Sequence, residues 1–233
     1  MERLDKRLAN TGTWSRKEAR ELIRAGRVAA DGTVCRAPEQ KVPETAAVTV
    51  DGAPIGGGGQ VYLMLNKPAG VVSSTDEPGE RTVMDLLGPE WRNRGLFPAG
   101  RLDKDTEGLL LITDDGPLAH RLLAPKRHVD KVYYVEVDGV LDQGDAEAVR
   151  AGIVLGDGTA CRPGELELLS GSAARITIHE GKYHQVKRML ASRGKPVRCL
   201  RRERFGPLIL DPDLPKGGWR ALTEEEIQAL FRQ

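Results

Sequence analysis

Aromatic side chains are scarce in this sequence. Three Trp, four Tyr and three Phe amount to 4% of 233 residues. The core must therefore be aliphatic, built from Leu, Val, Ile and Ala. A chain of this length makes one large domain or two smaller ones and can bury a sizeable core. Cysteine is nearly absent. Cys35, Cys161 and Cys199 are odd in number and far apart, which argues against a disulfide framework and offers no spacing suited to a metal. Reduced thiols in a cytosolic protein are the expectation. No apolar run approaches the ~20 residues that a membrane helix needs, and no apolar segment follows Met1-Glu2-Arg3. A soluble, cytoplasmic protein with no membrane partner is expected. Net charge is small as well, +1 at pH 7, so its bulk value points to no partner. Its distribution does.

Two segments concentrate positive charge. Residues 1–28 carry eight basic side chains against four acidic ones, a net +4. Within them Ser15 and Glu18 have the spacing of a capping box. The helix they open runs through Ala19, Leu22 and Ile23 and stops at Gly26. Arg16, Arg20, Arg24 and Arg27 recur at helical spacing and form one ridge. A solvated helix face reads equally well from spacing alone, but guanidinium geometry suits phosphate. Leu4 and Leu8 mark a weaker helix before it. Short strands follow on either side of an Asp31-Gly32 turn. The second segment, Lys182 to Arg204, holds nine basic residues opposed only by Glu203, a net +8 over 23 residues. An RNA backbone is its simplest partner. Between the two segments, Gly56-Gly57-Gly58-Gly59 reads as a linker. It divides the chain into domains at residues 1–55 and 60–233.

In the second domain, Gln60 to Pro68 is a strand with little alternation, hence covered on both faces. The stretch from Pro98 to Gly116 sets a charged turn, Arg101 to Glu107, directly before the apolar run Leu109–Ile112. Arg101 and Asp103 alternate around Leu102. If the tripeptide is extended, both project to one face, where a guanidinium would favour the carboxylate form of Asp103. A structural Arg–Asp pair fits the same spacing. Asp115-Gly116-Pro117 opens a helix through Leu123, and His120 is a surface residue of it. Lys131 to Val137 is a strand that sends Tyr133 and Tyr134 to opposite faces, one to the core and one free to meet a base. Further helices are expected over 142–151, from within 180–190 up to Gly194, and from Thr223 to Phe231.

The string Gly-Arg-Leu-Asp-x-x-Thr-x-Gly-Leu-Leu-Leu, from Gly100 to Leu111, resembles the catalytic signature of the pseudouridine synthases that modify ribosomal RNA one site at a time. The resemblance implies that Asp103 is the essential catalytic residue and that Arg101 supports it. Asn-Lys-Pro-x-Gly at Asn66–Gly70 is similar to a first family motif, mainly structural. Lys-x-Tyr at Lys131–Tyr133 selects Tyr133 as the aromatic of the site. Gly-x-x-His-Gln-Val-Lys-Arg-Met at Gly181–Met189 is similar to a third motif. There Val186 would lie against the base, and Lys187, where the family commonly has Arg, would pair with Asp103. An ammonium keeps the charge of that Arg but loses its fork. His184 has no catalytic role in this scheme. Residues 1–50 resemble the S4 RNA-binding domain, which implies phosphate contacts by Arg16, Lys17, Arg20 and Arg24. Lys182, Arg188, Arg201 and Arg202 are the corresponding RNA contacts of the second segment. The fold implied is α+β: a small S4-like domain, then a catalytic domain on a mixed, mainly antiparallel sheet with flanking helices.

Converting uridine to pseudouridine breaks the bond from N1 to the ribose, turns the uracil and rejoins it through C5. The change is an isomerisation, so no cofactor and no metal are expected. A lone carboxylate can serve as nucleophile or as base at the sugar, and the uridine must leave its stack to reach it. The Ser73–Pro78 string and the chain's ending look most like the branch acting on small-subunit rRNA. The expected partner is that rRNA or its assembly intermediate, bound by a monomer. Three other readings stand beside this one. A large-subunit enzyme would share the same motifs. A non-catalytic assembly factor would explain the basic clusters but not the Asp103 motif. A hydrolase would need Asp105 or Glu107 as a second carboxylate.

Overall fold

The computed structural model describes residues 1–55, 59–88, 91, 94–124 and 129–232. Of the expected glycine linker, residues 56–58 lie outside the described residues. The chain groups into two compact units, Met1–Val61 with Leu87–Leu96, and Tyr62–Leu86 with Phe97–Gln233.

The first unit packs helices α1 (Leu4–Ala9) and α2 (Arg16–Arg24) with strands β1 (Val28–Ala30), β2 (Thr33–Cys35), β3 (Val48–Val50) and β4 (Ala53–Pro54). The strands form an antiparallel sheet in the order β2-β1-β3-β4. Leu4, Leu8, Ala19, Ile23, Val28 and Val48 make its aliphatic core. The capping box is present: Ser15 Oγ accepts from the Glu18 backbone N–H at 3.3 Å, and Glu18 accepts from that of Ser15 at 2.6 Å. Asp31 and Gly32 both have positive φ, 49° and 78°, as a two-residue hairpin of this twist requires. The arginine ridge is shorter than its spacing indicates. The helix ends at Arg24, and Arg27 pairs instead with Asp51. Asp5 is fully buried and holds three guanidiniums, with Arg3 and Arg20 at 3.0 Å and Arg16 at 3.4 Å.

The second unit contains β5 (Tyr62–Lys67), β6 (Glu107–Thr113), α3 (Gly116–Leu123), β7 (Lys131–Val137), α4 (Gln143–Ala151), β8 (Glu165–Ser170), β9 (Ala173–Ile178), α5 (Gln185–Ser192), β10 (Val197–Phe205), β11 (Trp219–Ala221) and α6 (Glu224–Phe231). The sheet runs β8-β9-β7-β10-β6-β5-β11, with Leu208–Ile209 added to β10 and Phe97–Pro98 to β6. Its pairings are antiparallel except that of β6 with β10, so it is the mixed, mainly antiparallel sheet expected. Every residue of β5 is buried, as its lack of alternation indicates. Met64, Leu109 and Leu111 on one face pack with Leu118 and Leu122 of α3 and Leu230 of α6. At the parallel join, Gly108 has φ +101°, and a Cβ there would lie 2.3 Å from the Arg202 carbonyl oxygen. Only glycine permits this approach.

The turn between the Pro98 bridge and β6 is held from below. Lys67, at the end of β5, is 0% exposed. Its Nζ donates to the carbonyls of Pro68, Asp103, Lys104 and Thr106 at 3.0, 3.0, 3.1 and 2.8 Å. Ser73 Oγ donates to the Leu102 carbonyl at 2.9 Å and accepts from the Leu102 N–H at 3.1 Å. The Gly70 N–H donates to the Lys104 carbonyl at 2.7 Å. Burial pushes the Lys67 ammonium down to about 8, against the pull of the Asp105, Asp103 and Glu107 carboxylates.

Replacing Lys67 by Met removes one donor from all four carbonyls and leaves those of Asp103 and Lys104 only their backbone donors. The expected cost is about 3 kcal/mol or more, read as a lower urea midpoint for Lys67→Met. Asp5 makes a second prediction. Burial disfavours its charge, yet the hydrogen bonds from Arg3 and Arg20 hold its carboxyl at about 2, below the ordinary 3.8. Its stabilising contribution is therefore complete above pH 3.8 and is lost as pH falls through about 2. Hydrogen-exchange protection of α1 and α2 should fall over that window, and Asp5→Asn should be weaker above it and flatter across it.

Candidate active site

Asp103 projects from this anchored turn. Its Oδ2 accepts from Lys187 Nζ at 2.8 Å, and its Oδ1 lies 3.6 Å from His184 Nε2. Lys187 also ion-pairs with Asp105. Burial works against the Lys187 charge, but the hydrogen bonds to Asp103 and Asp105 outweigh it and raise its pKa. Asp105 is likewise held below the usual carboxylate range: burial opposes this and the Lys187 ammonium prevails. One cation thus holds two carboxylates, the inner of which faces a cavity.

The start of α5 places that cation. Buried Gln185 accepts from the Lys182 backbone N–H at 3.0 Å and donates to Glu180 at 2.9 Å. His184, just before the helix, has φ +47°, a left-handed conformation uncommon outside glycine. The chain turns sharply there, and Val186 and Lys187 fall in the first turn of α5. Val186, Asp103 and Tyr133 line one cavity of about 590 Å³, within the range of small-ligand sites. Tyr133, on β7, is 7% exposed and offers an aromatic wall. Tyr134 is on the opposite face, where its hydroxyl donates to Glu136 at 2.5 Å and the Arg201 guanidinium lies 5.2 Å from its ring. Lys131 also lines the cavity. Burial, then the Arg202 charge, push it down to about 8, against Asp130 and Glu180. Among the described residues, no group of three His, Cys, Asp or Glu side chains is placed to hold a metal ion.

The expected residues divide in four. Asp103, Tyr133, Val186 and Lys187 converge on this site. Arg101 lines the cavity but makes no ion pair with Asp103 among the described residues: residues 101–103 are not a strand, and Lys187 takes the place that alternation assigns to Arg101. Arg202 lies inside rather than on the outer surface, and it too lines the cavity. It is 2% exposed, and its Nε donates to the Leu109 carbonyl at 2.8 Å. The other cations are at the surface, most with acidic neighbours: Arg16 and Arg20 with Asp5, Lys182 with Glu180, Arg188 with Asp157, Arg201 with Glu203. Lys17 and Arg24 are exposed. Sequence reasoning missed the role of Lys67, although the Asn66-Lys67-Pro68 string flags it. It also missed the approach of His184 to Asp103, which depends on a left-handed residue that no local pattern announces.

The model of the RNA pseudouridylate synthase family matches residues 61–192, and that of the S4 domain matches residues 2–48. An uncharacterized RNA pseudouridine synthase of Bacillus subtilis is 45% identical, covering 98% of each chain. The ribosomal small subunit pseudouridine synthase A of Escherichia coli is 42% identical over 98% of this chain and 99% of its own. A crystal structure of a pseudouridylate synthase superposes with a TM-score of 0.70 at 35% identity, covering 99% of this chain and 100% of that one. With an N-terminal S4 domain ahead of the Asp103 site, this chain belongs to the RNA pseudouridylate synthase family.

Proposed function

We propose that this protein isomerises uridine to pseudouridine in ribosomal RNA of the small subunit, in the cytoplasm, with Asp103 as the catalytic carboxylate. The observation that carries the proposal is the Asp103–Lys187 ion pair at a cavity walled by Tyr133 and Val186. The near full-length likeness to enzymes named for the small subunit supports the choice of RNA.

The residues divide the work as follows. A flipped uridine enters the cavity with its base against Tyr133 and Val186, which offset the lost stacking. Asp103 then acts at the sugar. A carboxylate serves either by attack on the anomeric carbon or by removal of a sugar proton. Breaking the N1–ribose bond frees the uracil. It turns within the cavity, bonds to the sugar through C5, and gives up the C5 proton as N1 regains one. Atoms balance without a co-reactant. Lys187 fixes the carboxylate direction and stays charged throughout the neutral range. Residues 1–55 serve as the docking module, with Arg16, Lys17, Arg20 and Arg24 toward phosphate, and residues 60–233 carry the chemistry.

Tritium release from C5-tritiated uridine in small-subunit rRNA tests this. Wild type should release label, and Asp103→Asn should lose at least about 10³-fold in rate while still retaining the RNA on a filter. Equal release by both proteins would remove Asp103 from its role, and release from large-subunit rRNA alone would change the substrate. Lys187→Met should lower kcat by about 10²-fold, with Lys187→Arg recovering part of the loss because it keeps the charge.

A further inference from the structure

Next to the Asp103 cavity stands a large aromatic side chain that the chemistry above does not use. Tyr183 is 76% exposed. Among the described residues its ring makes one aromatic contact, with His184, at a centroid separation of 3.8 Å and an interplanar angle of 18°. Consecutive side chains in regular extended structure point apart. These two lie parallel where the chain takes the left-handed conformation at His184, φ +47°. His184 in turn lines the cavity and stands 3.6 Å from Asp103. The result is a short stack leading outward from the catalytic carboxylate: Asp103, the imidazole, the phenol ring, then solvent.

Leaving a tyrosine ring face in water forgoes the burial that such a ring ordinarily makes. Here the ring is backed by a second ring, and it sits in the segment that carries a net +8 from Lys182 to Arg204. The substrate class of the family is RNA. Extruding one uridine into the cavity unstacks the bases on either side of it, so a π-face beside the cavity has an occupant to receive. We infer that Tyr183, braced by His184, is a stacking platform for the nucleobase adjacent to the target uridine. It holds the flanking strand while the uridine is flipped. A π-face accepts any base, so the platform adds affinity and position without reading sequence. This inference rests on the proposed rRNA activity for its substrate but on the Tyr183–His184 geometry for its site.

The test compares Tyr183→Ala, Tyr183→Phe and wild type. First, KM and kcat are measured for tritium release from small-subunit rRNA. Tyr183→Ala should raise KM about tenfold or more and alter kcat far less, and Tyr183→Phe should restore KM because it keeps the ring. Second, once the modified uridine is mapped, oligoribonucleotides carrying 2-aminopurine on either side of it are bound to each protein. Wild type and Tyr183→Phe should quench one of the two probes, and Tyr183→Ala neither. Unchanged KM and quenching in Tyr183→Ala, or equal losses in Ala and Phe variants, would overturn the platform. If wild type releases no tritium from any rRNA, the activity proposal fails. The platform is then judged on filter binding of the same RNA, where an equal affinity for wild type and Tyr183→Ala would overturn it.

Discussion

The ammonium of Lys67 is the constraint on which the proposed active site rests. Buried charges are costly unless fully hydrogen-bonded, and this one is satisfied by the carbonyls of the turn that carries Asp103. The arrangement works in both directions. The turn directs carbonyl groups inward, where Lys67 is a donor to three of them beside the Gly70 and Thr106 N–H groups, and the ammonium has no access to water. The buried ammonium is intolerable without these carbonyls, and its bonds tie the turn to the end of β5. Ser73, bonding the Leu102 peptide on both its N–H and its C=O, removes the remaining freedom. A carboxylate on such a turn is aimed before any substrate arrives, which is what preorganised catalysis requires.

Above the turn, a second cation completes the arrangement. Lys187 comes from α5, and its ammonium lies between Asp103 and Asp105. The two lysines bracket the same short segment, one through backbone carbonyls beneath it and one through carboxylates above it. Their pKa directions differ for that reason. Lys67 is held by dipoles in a dry interior and is pushed down, whereas Lys187 is held by charges at a half-open surface and is raised. Two ammonium groups near one turn therefore stay distinct in character, one bonded to backbone carbonyls and one paired with the carboxylates of Asp103 and Asp105.

Much of this was legible in the sequence where the cause is local. Ser15 with Glu18 and Thr223 with Glu226 form the capping boxes their spacing promises. The unbroken apolar run of β5 is buried on both faces, and the Asp103 string marks its turn. What depends on distant chain was not legible by periodicity. Which cation reaches Asp103 is decided by α5, 84 residues away, so the alternation of Arg101 and Asp103 suggested the wrong partner. Arg202 illustrates a signal that was present and outweighed. In β10, Leu200 and Arg202 alternate with half-exposed Cys199, Arg201 and Glu203, so strand period two sends Arg202 inward with Leu200. Counting the segment as a uniform basic surface hid that. Arg27 failed for a related reason: helical spacing continued on paper past a helix that Gly26, with φ +73°, had already ended.

The parallel pairing of β6 with β10 has a consequence for the order in which the protein becomes competent. Gly108 and Arg202 meet at that join, although one lies near the middle of the chain and the other close to its end. Antiparallel neighbours can zip from a turn, but a parallel pair must wait for the intervening chain. During synthesis, the Asp103 turn emerges well before both α5 and β10, and its ion pair with Lys187 forms only when α5 arrives. The nascent protein therefore passes through an interval in which its S4 domain has been made while the Asp103–Lys187 pair is still unassembled. The S4 domain lies within the first quarter of the chain, and the pair that holds Asp103 is completed only in the last.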